Sequence, residues 1–438
     1  MTSESIPITR TETSAPQMRR VAASVLIGTT IEWYDFILYG SAAALVLGPL
    51  FFPSHDPVAS TLLAFSTFAV GFAARPLGGI VLGHFGDRIG RKKMLVLSLS
   101  MMGIATFLMG LLPTYATIGV AAPVLLVLLR LIQGFGVGGE WGGAVLTAVE
   151  SSSPSKRGFF GSLPQIGVPA GLFLATLVFF GVSQMPQEAF LSWGWRIPFL
   201  VSIVLVVVGL VVRATLDDTP VFHEVQRSQR TVRMPLLDAV RRYPKQIILA
   251  TGSMISTGGY FYVVNTYALA YAKSTKSQSG NAMLIAVLIG AVVAVLALPF
   301  FGAMAQRRGR RMLIITGLAA MAVWIFPTFL AIDSGSAVWL VLAYVVGAVL
   351  FSVSYGPQAT FITELFDGSV RFSASSVSFQ LGVLLGGAIA PLVSAALVAG
   401  TGTSMSVAGY VAALSLLSLA CVFAVSQRDL SHGSKDMN

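Results

Sequence analysis

Twelve apolar stretches, each about as long as a helix must be to cross the hydrocarbon core of a bilayer, are spaced along the 438 residues, and no other feature constrains the fold as strongly. They span approximately 21 to 45, 58 to 85, 92 to 112, 118 to 148, 157 to 182, 194 to 213, 245 to 272, 281 to 304, 311 to 331, 336 to 362, 371 to 398 and 404 to 426. Only 11% of the chain is charged, too little to coat a water-soluble protein of this length, while 55% is apolar. Forty-four glycines suit close helix packing, and strand-like alternation is nowhere sustained. The expected fold is therefore an all-α membrane protein of twelve transmembrane helices, not a barrel.

The longest polar stretch, Arg213 to Lys245, divides the apolar runs six and six. Basic residues cluster at Arg88 to Lys93, Lys156 and Arg157, Arg213 to Lys245 and Arg307 to Arg311, which places these loops and both termini in the cytoplasm. The expected organisation is a cytoplasmic tail over 1–20, a six-helix half over 21–213, a central cytoplasmic loop over 214–244, a second half over 245–426 and a tail over 427–438. The first apolar run contains Glu32 and Asp35, so it does not read as a cleaved signal peptide.

The two halves repeat each other. GHFGDRIGRKKML begins at Gly83 and GAMAQRRGRRML at Gly302, an offset of 219. Glu150 precedes Arg157 by seven residues, as Glu364 precedes Arg371, and Gln165, Gly167 and Gly171 recur as Gln380, Gly382 and Gly386. Such order implies two parallel repeats, an arrangement found in transporters.

These residues resemble a known family. The loop Gly83 to Lys93, RLIQG at Arg130 to Gly134 and the glycine-rich fifth run are similar to signatures of the major facilitator superfamily. EWYDFILYG at Glu32 to Gly40, ARPLGG at Ala74 to Gly79, GGEWGGA at Gly138 to Ala144, WGWRIPF at Trp193 to Phe199, DDTPVF at Asp217 to Phe222 and YGPQATFITELF at Tyr355 to Phe366 resemble its metabolite:proton symporters. The resemblance implies a proton-coupled importer of a small organic acid, shikimate-like in the first half, with a proline or betaine carrier or a drug:proton antiporter as the alternatives. Gln306 departs from the pattern, standing where the first loop has Asp87.

Five ionisable residues lie deep in the apolar runs: Glu32, Asp35, Arg75, Arg130 and Glu140. Charge at mid-membrane costs about 2.5–3.5 kcal/mol per residue on insertion scales, which argues for a role. Carboxylates in a low-dielectric cavity can take up and release protons near neutral pH, so Asp35, Glu32 and Glu140 are the expected proton-coupling residues, with Glu32 and Asp35 three apart on one helical face. Arg130 and Arg75 are the expected partners of a substrate carboxylate, with stapling of helices by carboxylate pairing as the structural alternative. Tyr260, Tyr262, Asn265 and Tyr267 offer aromatic faces and polar groups in the seventh run, where Tyr260 and Tyr267 are expected to share a face. Trp141, Gln165 and Gln380 complete the expected cavity wall. Gating is expected of the loop residues Gly83, Asp87, Arg88, Gly90 and Arg91 and of Glu150, Arg157, Glu364 and Arg371, since an acid among basic residues can latch the cytoplasmic ends together.

Other chemistries find little support. The lone Cys421 cannot form an internal disulfide and is read as a structural thiol. No metal cluster, nucleotide loop or nucleophile–base pair is visible, so no cofactor or enzymatic activity is expected. A receptor would need a signalling domain larger than the central loop. The expected partners are a small solute, a proton and the lipid bilayer, not nucleic acid, with the carrier acting as a monomer in the inner membrane.

Overall fold

The structure is a computed structural model that describes residues 15–89, 91–138, 144–146, 148–149, 152, 156–215, 235–367 and 370–426. Twelve principal helices carry the chain back and forth. α1 (Ala15–Ala42) continues through a π-helical turn, Ala43–Leu47, to Phe51. α2 is Pro57–Ile89, α3 Arg91–Leu111, α4 Ala121–Val137, α5 Arg157–Ser183 and α6 Ile197–Thr215. α7 runs over Pro244–Tyr262, through a π turn at Val263–Tyr267, to Ala268–Thr275. α8 is Gly280–Arg308, α9 Arg310–Asp333 and α10 Ala337–Thr363. α11 (Arg371–Val383) passes through a third π turn, Leu384–Ala388, into Ala390–Thr401, and α12 is Met405–Ala424. Among the described residues, ten helical segments are long and apolar enough to cross a membrane, and shorter apolar helices lie at Val96–Leu111 and Ala121–Val137.

Several boundaries follow from local chemistry. The hydroxyls of Ser279 and Ser336 accept backbone N–H groups at the starts of α8 and α10. Arg75–Pro76 does not break α2, which runs through Pro76. The expected run 118 to 148 instead begins with a short helix, Tyr115–Ile118, ended by Gly119 at φ 57°, before α4 starts. Large apolar side chains such as Leu77, Val204, Leu296, Val323, Val338 and Leu416 are exposed around the outside, as a lipid-facing surface requires.

The helices pack as two six-helix bundles joined face to face. Within the first, α1 packs on α5, α2 on α4 and α3 on α6; within the second, α7 packs on α11 and α12, and α8 and α9 on α10. Across the interface α5 meets α8 and α10, α2 meets α11, and the π turn of α1 meets the last segment of α7, Ala268–Thr275. Glycine sets the closest approaches: a Cβ at Gly134 of α4 would overlap the carbonyl oxygen of Gly71 on α2, and one at Gly171 of α5 would strike the backbone of Trp33 and Tyr34 on α1.

The halves touch at both ends of this interface. At one end Lys273 Nζ donates to the Leu45 carbonyl in the α1 π turn at 2.5 Å, and Ser183 and Gln184 meet Asn281 at 3.3 and 3.2 Å. At the other, Gly158 abuts Gly302 and Gln380 Nε2 donates to the Gly138 carbonyl at 3.4 Å. Among the described residues, contacts between the halves thus flank the middle of the interface at both ends.

Candidate functional site

Between these contacts lies a cluster of charge walled by aromatic rings. α1 supplies Glu32, Trp33, Asp35, Phe36 and Tyr39; α2 supplies Phe68, Phe72 and Arg75; α4 supplies Arg130 and Gln133. Glu32, Asp35, Arg75 and Arg130 are each 2% exposed or less.

Arg75 and Arg130 have different surroundings. The Arg75 guanidinium carbon stands 3.6 Å from the Phe36 ring centroid, 4.5 Å from Phe72 and 5.2 Å from Trp33. All three of its guanidinium nitrogens are buried without a hydrogen-bond partner. Arg130 also stacks, 3.9 Å from the Tyr39 centroid and 4.6 Å from Phe36, but its Nη1 donates to Gln133 Oε1 and its Nη2 to the Phe68 carbonyl at 3.3 Å. Neither guanidinium is within ion-pair distance of a carboxylate among the described residues. Sharing the Phe36 ring holds the two guanidinium carbons within about 8 Å of each other.

The carboxylates also differ. Both oxygens of Asp35 are buried without a hydrogen-bond donor. The Thr106 hydroxyl lies beside that carboxylate but donates to the Met102 carbonyl at 2.9 Å. Gln133 ties the neighbourhood together, its Nε2 donating to Thr106 Oγ1 at 2.7 Å and to the Asp35 main-chain oxygen at 3.2 Å. Glu32 instead lies within electrostatic reach of Arg75, Tyr262 and Tyr355. The expected common face is therefore divided: a three-residue step leaves about 60° between side chains, enough to turn Glu32 toward the second half and Asp35 toward α3 and α4.

The second half contributes uncharged groups. Tyr262 of α7 packs edge-on against Phe68 and Phe72, 5.4 Å from each centroid, and its buried hydroxyl has no hydrogen-bond partner. Tyr355 of α10 meets Gln165 of α5 across the interface. Tyr260 turns away toward α9 and α10, its hydroxyl lying over Gly347. Tyr267 faces Phe65 of α2, with ring centroids 6.5 Å apart. The expected shared face of Tyr260 and Tyr267 is lost because the π turn Val263–Tyr267 changes the helical phase between them. Asn265 bonds the Phe261 carbonyl at 2.9 Å and, with Tyr260 and Tyr344, lines a small cleft reached by Pro169 and Leu172 of α5.

At the end of the bundle where α8 turns into α9, Glu364 pairs with Arg310, and Arg157 and Arg371 also pull on its charge. Burial pushes the Glu364 carboxyl above its ordinary value, against the pull of these arginines. Arg371 Nε donates to the Phe366 carbonyl at 3.1 Å, and Arg310 Nη2 to Gln306 Oε1 at 2.9 Å. The expected site residues Glu140 and Trp141 and the gating residues Gly90 and Glu150 lie outside the described residues. Gly83, Asp87 and Arg88 are in the last turns of α2 and Arg91 opens α3, and their side chains are likewise outside the described part.

The sequence reading did not single out Trp33, Phe36, Tyr39, Phe68, Phe72, Gln133 or Tyr355 as site residues. For Gln133 a signal existed: it is a polar residue three positions, hence one helical turn, from Arg130.

Over 91% of its length the chain is 40% identical to the inner membrane metabolite transport protein YhjE of Escherichia coli K12, covering 92% of that protein. The chain belongs to the major facilitator superfamily. It is a multi-pass membrane transporter, not an enzyme. The shikimate transporter of the same strain is 42% identical over 88% of this chain and 89% of its own, and the proline/betaine transporter 34% identical over 92% and 82%. The family models for "Sugar (and other) transporter" and "MFS/sugar transport protein" match residues 21–233 and 143–334. A D-xylose–proton symporter structure superposes with a TM-score of 0.74 over 94% of this chain and 98% of that one, at 18% identity, so it shares the major facilitator fold.

Proposed function

We propose that this transporter imports a small organic acid together with a proton across the inner membrane, by alternating access of the interface site. The observation that carries the reading is the buried cluster itself: two buried guanidiniums beside a carboxylate, Asp35, that has no donor to hold its charge. A carboxylate so placed is far easier to bury protonated, and each proton it takes up adds one positive charge to a site that already holds two arginines. Proton uptake thereby favours entry of an anion, and loss of the proton to the cytoplasm favours its release. This linkage suits symport.

Similarity to a shikimate transporter supports an acid, while similarity to a proline/betaine transporter supports a compatible solute. Aromatic faces that could hold a quaternary ammonium are already stacked on Arg75 and Arg130, which favours the acid. At the inner ends, Glu364 with Arg310, Arg157 and Arg371 would form one latch, and Asp87 with its basic neighbours the other. The distribution of Lys and Arg supports both termini in the cytoplasm. The carrier would work as a monomer, since each chain encloses its own site.

The test is uptake of labelled shikimate, with 2-oxoglutarate and glycine betaine for comparison, into proteoliposomes under an imposed pH gradient. Accumulation above equilibrium that collapses with a protonophore is expected for an acid. Accumulation of betaine alone, or accumulation indifferent to the pH gradient, would reject the proposal.

A further inference from the structure

We infer that Arg75 is the seat of a single substrate carboxylate and that the buried site takes a monoanion with one proton. This rests on the organic-acid reading above and goes on to specify which acids.

The donors decide the seat. A carboxylate binds a guanidinium best through two parallel N–H···O bonds. Arg130 already donates from Nη1 to Gln133 and from Nη2 to the Phe68 carbonyl, and only its Nε is unbonded. Arg75 has Nε, Nη1 and Nη2 all buried and unbonded. A guanidinium removed from water and given no acceptor is costly to keep, and stacking on Trp33, Phe36 and Phe72 leaves its in-plane N–H groups unsatisfied. An anion approaching in that plane meets the need. The buried, unpartnered Tyr262 hydroxyl, close enough to feel the charge of Arg75, supplies another donor from the opposite half. One carboxylate could thus touch both bundles at once and draw them together.

Charge sets the number. Among the described residues the cluster holds two guanidiniums and the carboxylates Glu32 and Asp35. Uptake of the transported proton on Asp35, with Glu32 charged, leaves these described groups one positive charge, which a monoanion cancels. A dicarboxylate would bring a second negative charge into a buried site whose described groups have no positive charge left to balance it. The other end of the substrate has to be uncharged. The amide of Gln165 and the hydroxyl of Tyr355 suit alcohol groups there.

The experiment is calorimetric titration of the purified full-length carrier at acidic pH with monoanions (shikimate and cyclohexanecarboxylate), dianions (succinate and 2-oxoglutarate) and glycine betaine. At least one monoanion should bind, with the dianions and betaine at least tenfold weaker. Arg75→Gln should weaken the monoanion roughly 100-fold, and Arg75→Lys, which keeps charge but loses the fork, roughly tenfold. Tyr262→Phe, which removes only the hydroxyl and keeps the ring, should weaken it about fivefold, whereas Arg130→Gln should have less effect on affinity than Arg75→Gln. Thermal unfolding of each variant establishes that it is folded. Dianions binding as tightly as monoanions, or a folded Arg75→Gln protein with unchanged affinity, would overturn the seat and leave the organic-acid reading standing. Failure of every carboxylate to bind the unmutated protein would overturn both.

Discussion

The two halves of the molecule share a fold and a repeat, yet their inner walls differ in kind. The first half presents Glu32, Asp35, Arg75 and Arg130, all charged or able to be, within a shell of phenylalanine and tryptophan. The second presents Tyr262, Tyr355, Gln358 and Gln380, which are neutral and buried. Gln358 is held by its own bundle, donating to the Ser253 carbonyl at 2.7 Å and accepting from Thr257 at 3.1 Å. Duplication supplied one scaffold twice, and the two copies present different side chains to the interface: ionisable groups in one, neutral polar groups in the other.

The sharpest way to break this division is Asp35→Asn. It should abolish pH-driven accumulation in proteoliposomes while substrate exchange between the two sides persists, because the amide keeps the shape of the site and loses the exchangeable proton. Uphill accumulation by this variant would move the coupling role to Glu32 or Glu140. Next comes Gln133→Leu, which strips acceptor and donor from Arg130, Thr106 and the Asp35 backbone together. The pH midpoint of transport is expected to move, with a rate loss of about tenfold, whereas a merely structural glutamine would lower protein level and leave the midpoint in place. In the neutral half, Tyr355→Phe should raise the apparent Michaelis constant about threefold with the pH profile unchanged. A shifted pH profile there would erase the contrast between the halves. The smallest effect is expected of Glu364→Gln, whose amide keeps the shape of the pair with Arg310 and can still accept a hydrogen bond from it. Inner-side cysteine labelling should rise modestly, and Asp87→Asn should act in the same direction.

Charge was legible in the sequence because an acid or a base inside an apolar run has no solvent to explain it. Twelve crossings and two halves were legible for the same reason, since apolar length is a strong signal. The aromatic shell was not: Phe36 and Phe72 are apolar residues among apolar residues, and only contact with a guanidinium distinguishes them. Likewise the division of Glu32 from Asp35 depends on about 60° of rotation, which spacing alone treats as one face. The π turns were invisible because a uniformly apolar helix shows no phase to be shifted, so the expected pairing of Tyr260 with Tyr267 had nothing to correct it.

The bare guanidinium of Arg75 has a consequence for the resting protein. A buried guanidinium with no acceptor among the described residues makes the protein less stable than its framework allows, and an anion bound there relieves that burden. Arg75→Met, similar in reach and content to stay among Trp33, Phe36 and Phe72, should therefore yield a protein that melts at a higher temperature than the native carrier and transports nothing. Fragility in the empty state would then be the mark of a carrier poised to close on its cargo.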